Sequence, residues 1–195
     1  MKLPDVILLN GASSAGKSSL VLALQDRLRE PYVRFGIDDF VFDRSPTRWY
    51  GAPEGIRFQP RPDKLVDVLY GAEAMRLQRA FHRSVRACVD EGLKVLIDEV
   101  ILRRDLLDDW IAALAGTEVF FVGVHCDPQE LQLRENARRD RTRGTSLAQI
   151  DIVHAHGDYD LELNSTATGA SALATQVLAA LEARSGETAF TRLAR

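Results

Sequence analysis

The chain has 195 residues and a formal charge of −3, from 25 Lys and Arg against 28 Asp and Glu. That length suits one compact domain of about 150–200 residues, and the charge excludes a generally basic nucleic-acid binder. With 46% hydrophobic and 27% charged residues the composition is globular and excludes disorder, and the two cysteines make no disulfide framework or zinc pattern. Taking the chain in order, Val6-Ile7-Leu8-Leu9 is a continuous apolar run, as are Val95-Leu96-Ile97 and Val119-Phe120-Phe121-Val122. Runs apolar on both faces suit strands buried in a parallel sheet. Tyr32–Phe35 and Tyr159–Leu163 bring the expected strand number to about five. Helical spacing appears at Leu20, Leu24 and Leu28. It recurs at Leu77, Phe81, Val85 and Val89, with Gly92 placed to end that helix. Leu106, Leu107, Trp110, Ile111 and Leu114 form a third helical pattern, closed by Gly116. Asp127-Pro128-Gln129-Glu130 reads as a capping box with Pro at the first helical position, and Ser146 to Gln149 has the same spacing. A last helix runs through Leu173, Val177, Leu178 and Leu181. The segment Ser45 to Asp63, with four prolines and two glycines, reads as a long loop.

Strands alternating with helices predict an α/β fold: a parallel sheet of about five strands, helices on both faces, three layers in all. Ligands then sit at the carboxyl ends of the strands. There the residues Gly11-Ala12-Ser13-Ser14-Ala15-Gly16-Lys17-Ser18 match G-x-x-x-x-G-K-[ST], between a buried strand and a helix. In such a turn backbone N–H groups converge on phosphate oxygens, Lys17 reaches the β- and γ-phosphates, and Ser18 offers a hydroxyl to Mg²⁺. The candidate nucleotide-binding residues are therefore 11–18 and the adjoining Ser19. Leu96-Ile97-Asp98-Glu99 puts two acids at the end of a buried strand, and Asp98 is the expected partner of Mg²⁺ through water.

The guanine-reading N-K-x-D pattern is absent. Instead Gly36-Ile37-Asp38-Asp39 follows the second strand, where a carboxylate can take the proton of a substrate hydroxyl. Asp38 is the preferred base over Asp39. Residues 134–143 hold five arginines, and on a helix Arg134, Arg138 and Arg141 share one face. A lid over about 134–145 carrying Arg138 and Arg141 would balance transition-state charge and exclude water. A solvated basic helix is the alternative, and no aromatic platform accompanies it for nucleic acid. Trp49, Tyr50 and Phe58 either line an acceptor pocket or cover core from outside.

These motifs, in order, resemble the chloramphenicol phosphotransferases: ILLNGASSAGKSS, FGIDDF, VLIDEVIL, VGVHCDPQELQLRENARRDRTRG and IVHAHGDYDLELNST. The resemblance spans nearly the whole chain, except that residues 45–63 depart from the family pattern. It implies an adenylate-kinase-like P-loop fold and transfer of the ATP γ-phosphate to a primary hydroxyl of chloramphenicol or a similar antibiotic, with Mg²⁺. It places Asp38 on the family's base, Arg138 and Arg141 on its lid arginines, and His154, Tyr159 and Asp160 on matched positions. The expectation is one ATP-dependent small-molecule kinase domain over 1–195, cytoplasmic, with neither a nucleic-acid nor a membrane partner. Oligomerisation, the acceptor and the nucleotide base stay open. The rivals are a kinase for another hydroxylated metabolite and an ATP-sensing regulatory module; a nucleic-acid kinase ranks third.

Overall fold

The computed structural model describes residues 3–138 and 142–195. Five parallel strands, β1 (Val6–Asn10), β2 (Tyr32–Gly36), β5 (Lys94–Glu99), β6 (Val119–His125) and β7 (Leu161–Asn164), stand in the order β2-β5-β1-β6-β7. Every residue of β1 is buried, because β5 and β6 flank it and helices cover both its faces. The side chains alternate accordingly. Ile7, Leu9, Leu96, Val122 and Val124 pack with Leu20 and Leu24 of α1 (Lys17–Gln25), Leu131 of α4 (Pro128–Ala137) and Val177 of α6 (Ala170–Ala183). Val6, Leu8, Ile97 and Phe121 pack on the other side. Their partners are Phe81 of α2 (Ala72–Asp90), Trp110 of α3 (Arg104–Ala113) and Phe190 of α7 (Ala189–Leu193). The expected three-layer α/β architecture is thus the observed one.

Gly92 ends α2 as the sequence predicts. With φ +80° it lets its own N–H reach Val89 O at 2.9 Å and the Leu93 N–H reach Cys88 O at 3.0 Å, the two bonds of a Schellman motif.

Four local expectations are corrected. Residues 45–63 are not a plain loop. After a 3₁₀ turn at Thr47–Trp49 they enter β3 (Ile56–Pro60), which pairs antiparallel with β4 (Val66–Tyr70). Pro60 hides the strand from a sequence reading, yet both strands of a two-stranded sheet are edges, the place where a sheet admits proline. The last sheet strand begins at Leu161, not Tyr159. The Tyr159 ring instead lies so close under β6 that a Cβ at Gly123 would meet it at 2.8 Å. Neither capping box forms: Asp127 caps α4 without a side-chain bond, and α5 (Thr145–Gln149) starts from Gly144 with Ser146 already inside it. Finally α4 stops at Ala137. Arg138 is extended at φ −90°, ψ 136°, so it does not continue the helical face of Arg134.

Candidate active site

The turn between β1 and α1 is bent by two left-handed residues, Ser14 at φ 64° and Gly16 at φ 92°. Gly11 is pressed against β6, where a Cβ would stand 2.4 Å from Val124 O. The turn is pinned from outside: the Ser13 N–H donates to Gln149 Oε1 at 2.8 Å and Ser165 Oγ donates to Ala15 O at 2.7 Å. Lys17 is 5% exposed; its ammonium donates to Ala12 O at 2.8 Å and stands 3.7 Å from Asp98 Oδ1. Ser18 Oγ donates to Asp98 Oδ2. The residues expected to hold phosphate and metal are therefore brought together across β1 and β5.

This cradle fits a phosphate group. The first N–H groups of α1 lack intrahelical partners, Gly16 supplies no side-chain cap, and the Ser14 hydroxyl is buried without a bonding partner. The Ser18 hydroxyl and the Asp98 carboxylate are hard oxygen donors of the kind Mg²⁺ takes. Among the described residues no group of three or more His, Cys, Asp and Glu side chains is placed to hold an ion by itself.

Asp38 opens a single π-helical turn, Asp38–Phe42, closed by the Asp43 N–H on Asp38 O at 2.9 Å. Such turns are frequent at functional sites. In the parallel register Gly36, the last residue of β2, pairs with Asp98 of β5, so Asp38 lies two residues beyond the partner of that acid. Burial, then Asp43 and Asp38, raises the Tyr50 phenol, and burial, then Glu99 and Asp38, raises that of Tyr70. Asp39 is exposed instead, its carboxylate beside Gly36 and its carbonyl bonded by Arg44. Tyr50 and Phe58 are exposed. Phe58 reaches Phe42 with ring centroids 6.4 Å apart, and Phe42 also meets Tyr70 at 6.4 Å. An aromatic set on the hairpin therefore stands over the acidic turn.

Arg138 is exposed at the end of α4, while Arg141 lies outside the described residues. Ser19 faces solvent on the first turn of α1.

Several polar residues were not singled out from sequence. Asn10, 2% exposed at the last position of β1, accepts the Ile101 N–H at 2.9 Å. Its amide donates to Val153 O and to Tyr159 OH, both at 2.8 Å. Tyr159 OH also bonds His154 Nδ1 at 2.9 Å. A polar residue ending an apolar run just before the phosphate turn is a signal that could have marked Asn10; Gln149 and Ser165 offer none. Burial, then the nearby His125, with which it stacks at 3.8 Å, and Lys17, push the His154 imidazole down to about 4. His154 and Ala12 help line a cleft of about 470 Å³, with His125, Asp127 and Ile150. Arg134 reaches from α4 to the loop after β7, donating to Ser165 O at 2.7 Å and to Glu130 at 2.8 Å, and it stands beside Gly16. Glu99 points away from Asp98 into the core. Burial raises its carboxyl to about 8, against the bonds it accepts from the Val100 N–H and Trp110 Nε1.

A parallel sheet in this strand order, with a glycine-rich turn running into a helix and a Lys–Ser–Asp constellation at its mouth, defines the P-loop nucleotide-binding class. The family model described as "Chloramphenicol phosphotransferase-like protein" matches residues 4–182. A Mycobacterium tuberculosis protein whose name proposes an O-phosphotransferase activity is 36% identical over 203 residues, covering 96% of this chain and 87% of its own length. The chain therefore belongs to the chloramphenicol phosphotransferase-like family, and with it to the P-loop phosphotransferases. Solved structures agree on the fold. A sugar kinase from Janibacter sp. HTCC2649 superposes with a TM-score of 0.67 at 17% identity, over 91% of this chain and 94% of that one. A gluconokinase from Sinorhizobium meliloti 1021 gives 0.63 at 18%, over 94% of each chain. The Mycobacterium tuberculosis APS kinase CysC, solved with AMPPNP and APS, gives 0.60 at 13%, over 93% of this chain and 99% of that one. Among the described residues no helix is long and apolar enough to cross a membrane.

Proposed function

We propose that the chain is an ATP-dependent kinase that phosphorylates a hydroxyl of a small molecule, chloramphenicol or a similar antibiotic. The observation that carries this reading is the meeting of Lys17, Ser18 and Asp98 at the phosphate turn, with Asp38 at the end of the neighbouring strand. The turn 11–18 holds the triphosphate by its backbone, Lys17 neutralises charge on the outer phosphates, and Ser18 and Asp98 hold Mg²⁺. The metal supplies further neutralisation of phosphate charge. Asp38 accepts the proton of the acceptor hydroxyl. The hydroxyl oxygen bonds to the γ-phosphorus while the bond to the β–γ bridging oxygen breaks, and ADP leaves with that electron pair. Arg138 and Arg141 balance the charge that develops on the transferring group. The exposed rings of Tyr50, just after the 3₁₀ turn, and Phe58, on the hairpin, offer partly apolar surface to an aromatic acceptor.

The test is ADP release from ATP with chloramphenicol, gluconate and adenosine phosphosulfate as acceptor probes, the product read by phosphorus NMR. Phosphorylated chloramphenicol is the expected product. Asp38→Asn should retain ATP binding and lose about 10²–10⁴ in turnover, the usual worth of a general base. Near-normal turnover in that variant removes Asp38 as the base. Lys17→Ala should weaken ATP binding, and unchanged affinity removes the cradle assignment.

A further inference from the structure

Glu135 lies on the last turn of α4 and is 2% exposed. Its carboxylate is bonded to the far end of the arginine segment. Oε2 accepts the Gly144 N–H at 2.6 Å, and Oε1 accepts the N–H and the hydroxyl of Ser146 at 2.8 and 2.6 Å. These are charge-assisted bonds, stronger than neutral ones, and they satisfy backbone groups at the start of α5 that have no helical partner. One buried side chain near the end of α4 is thereby bonded to the start of α5. Arg138 is the third residue after the tie, and its N–H bonds back to Glu135 O at 3.1 Å before the chain turns extended.

The same joint receives the hairpin. Gly144, at φ +86°, accepts the Val66 N–H at 3.1 Å, and a Cβ on it would stand 2.7 Å from Lys64 O. The β3–β4 hairpin also carries Phe58 and Tyr70, which surround the Asp38 turn through Phe42. One fastening therefore joins the end of α4, the start of α5 and the hairpin.

We propose that Glu135 is a positioning residue for phosphoryl transfer: it sets the base of the arginine segment against Gly144 and Ser146 so that Arg138 is presented to the phosphate cradle. This rests on the kinase reading above. Glu135 touches neither substrate nor metal and acts through Arg138. A clamp that served stability alone would lower the melting temperature and leave the effect of Arg138 untouched.

The experiment is a double-mutant cycle of Glu135→Ala and Arg138→Ala in the full chain. It is read as ADP release from ATP, with chloramphenicol as acceptor probe and with water alone, beside AMPPNP affinity. Glu135→Ala is expected to lower turnover at least tenfold with AMPPNP affinity within threefold. The double variant should be no slower than the slower single variant. Turnover of Glu135→Ala within twofold of the parent, or losses that multiply in the double variant, overturns the proposal. Should Glu135→Ala fail to fold, Ser146→Ala removes one of the three bonds and keeps the other two. It is expected to cost turnover in the parent and nothing in the Arg138→Ala background; an equal loss in both overturns the proposal. Failure of the unaltered chain to bind AMPPNP or to release ADP refutes the kinase reading itself, whereas the other outcomes refute the clamp alone.

Discussion

Gly11→Ala is the sharpest test of how the phosphate turn is supported. The added methyl carbon would lie 2.4 Å from Val124 O, 3.3 Å from Val124 C and 3.4 Å from Val124 Cβ. Ordinary contact begins near 3.4 Å, so the turn and β6 must separate by about 1 Å. No flexible side chain can absorb this, because the nearest obstacle is the backbone carbonyl of a strand bonded on both sides. Overpacking of this kind costs about 1–3 kcal/mol. The functional loss should be larger than the stability loss suggests, since about 1 Å of misplacement around a reacting group can cost about 10²-fold in rate. The assay is thermal unfolding with AMPPNP titration and turnover on the same preparation. A small fall in melting temperature with a large fall in affinity or turnover is expected. Unchanged affinity and turnover would show that the cradle does not depend on its seat against Val124, and the support argument would be wrong.

The parts of the molecule that were legible in sequence are those where one physical rule acts alone. The apolar runs at 6–9, 95–97 and 119–122 had to be buried on both faces, and they are the three central strands. The G-x-x-x-x-G-K-S spacing carries its own geometry, and Lys17 and Ser18 meet Asp98, read separately as the acid that ends an apolar run. What stayed hidden depends on long-range pairing. β3 is a strand only because β4 lies against it, and its proline spoke locally for a loop. The arginine spacing suggested one helical face, but the helix ends at Ala137 with Arg138 extended, and the buried Glu135 is bonded to Gly144, nine residues on. Nothing in the order of residues announces that Glu135 meets Ser146 or that Asn10 meets Tyr159.

Two further outcomes follow from the same contacts. Asn10→Ala removes the acceptor of the Ile101 N–H and the donor to Val153 O and Tyr159 OH. With about 1–3 kcal/mol for each buried group left unpaired, it should destabilise the fold by at least that amount, and a melting temperature unchanged from the parent would refute Asn10 as a hub. The second outcome concerns acid. His154 is held down to about 4 against an ordinary value of 6.5, with burial the first cause and the neighbouring His125 and Lys17 the next. Burial also lowers His82, against the pull of Asp109. A histidine whose folded pKa is depressed binds its proton more readily in the unfolded chain. Stability contributed by keeping it neutral is therefore complete above about pH 6.5 and declines as the pH falls toward 4. For His154 the loss is reduced by partial solvent access, so the expected fall is about 1–2 kcal/mol, less than the bare shift implies. Thermal unfolding at steps between pH 7.5 and 4.5, with the parent beside His154→Gln, measures it. The variant should lose less stability than the parent across that window. Identical slopes would mean that His154 is protonated in the folded chain as easily as in the unfolded one, and that the His125 stack and the Lys17 charge do not act on it.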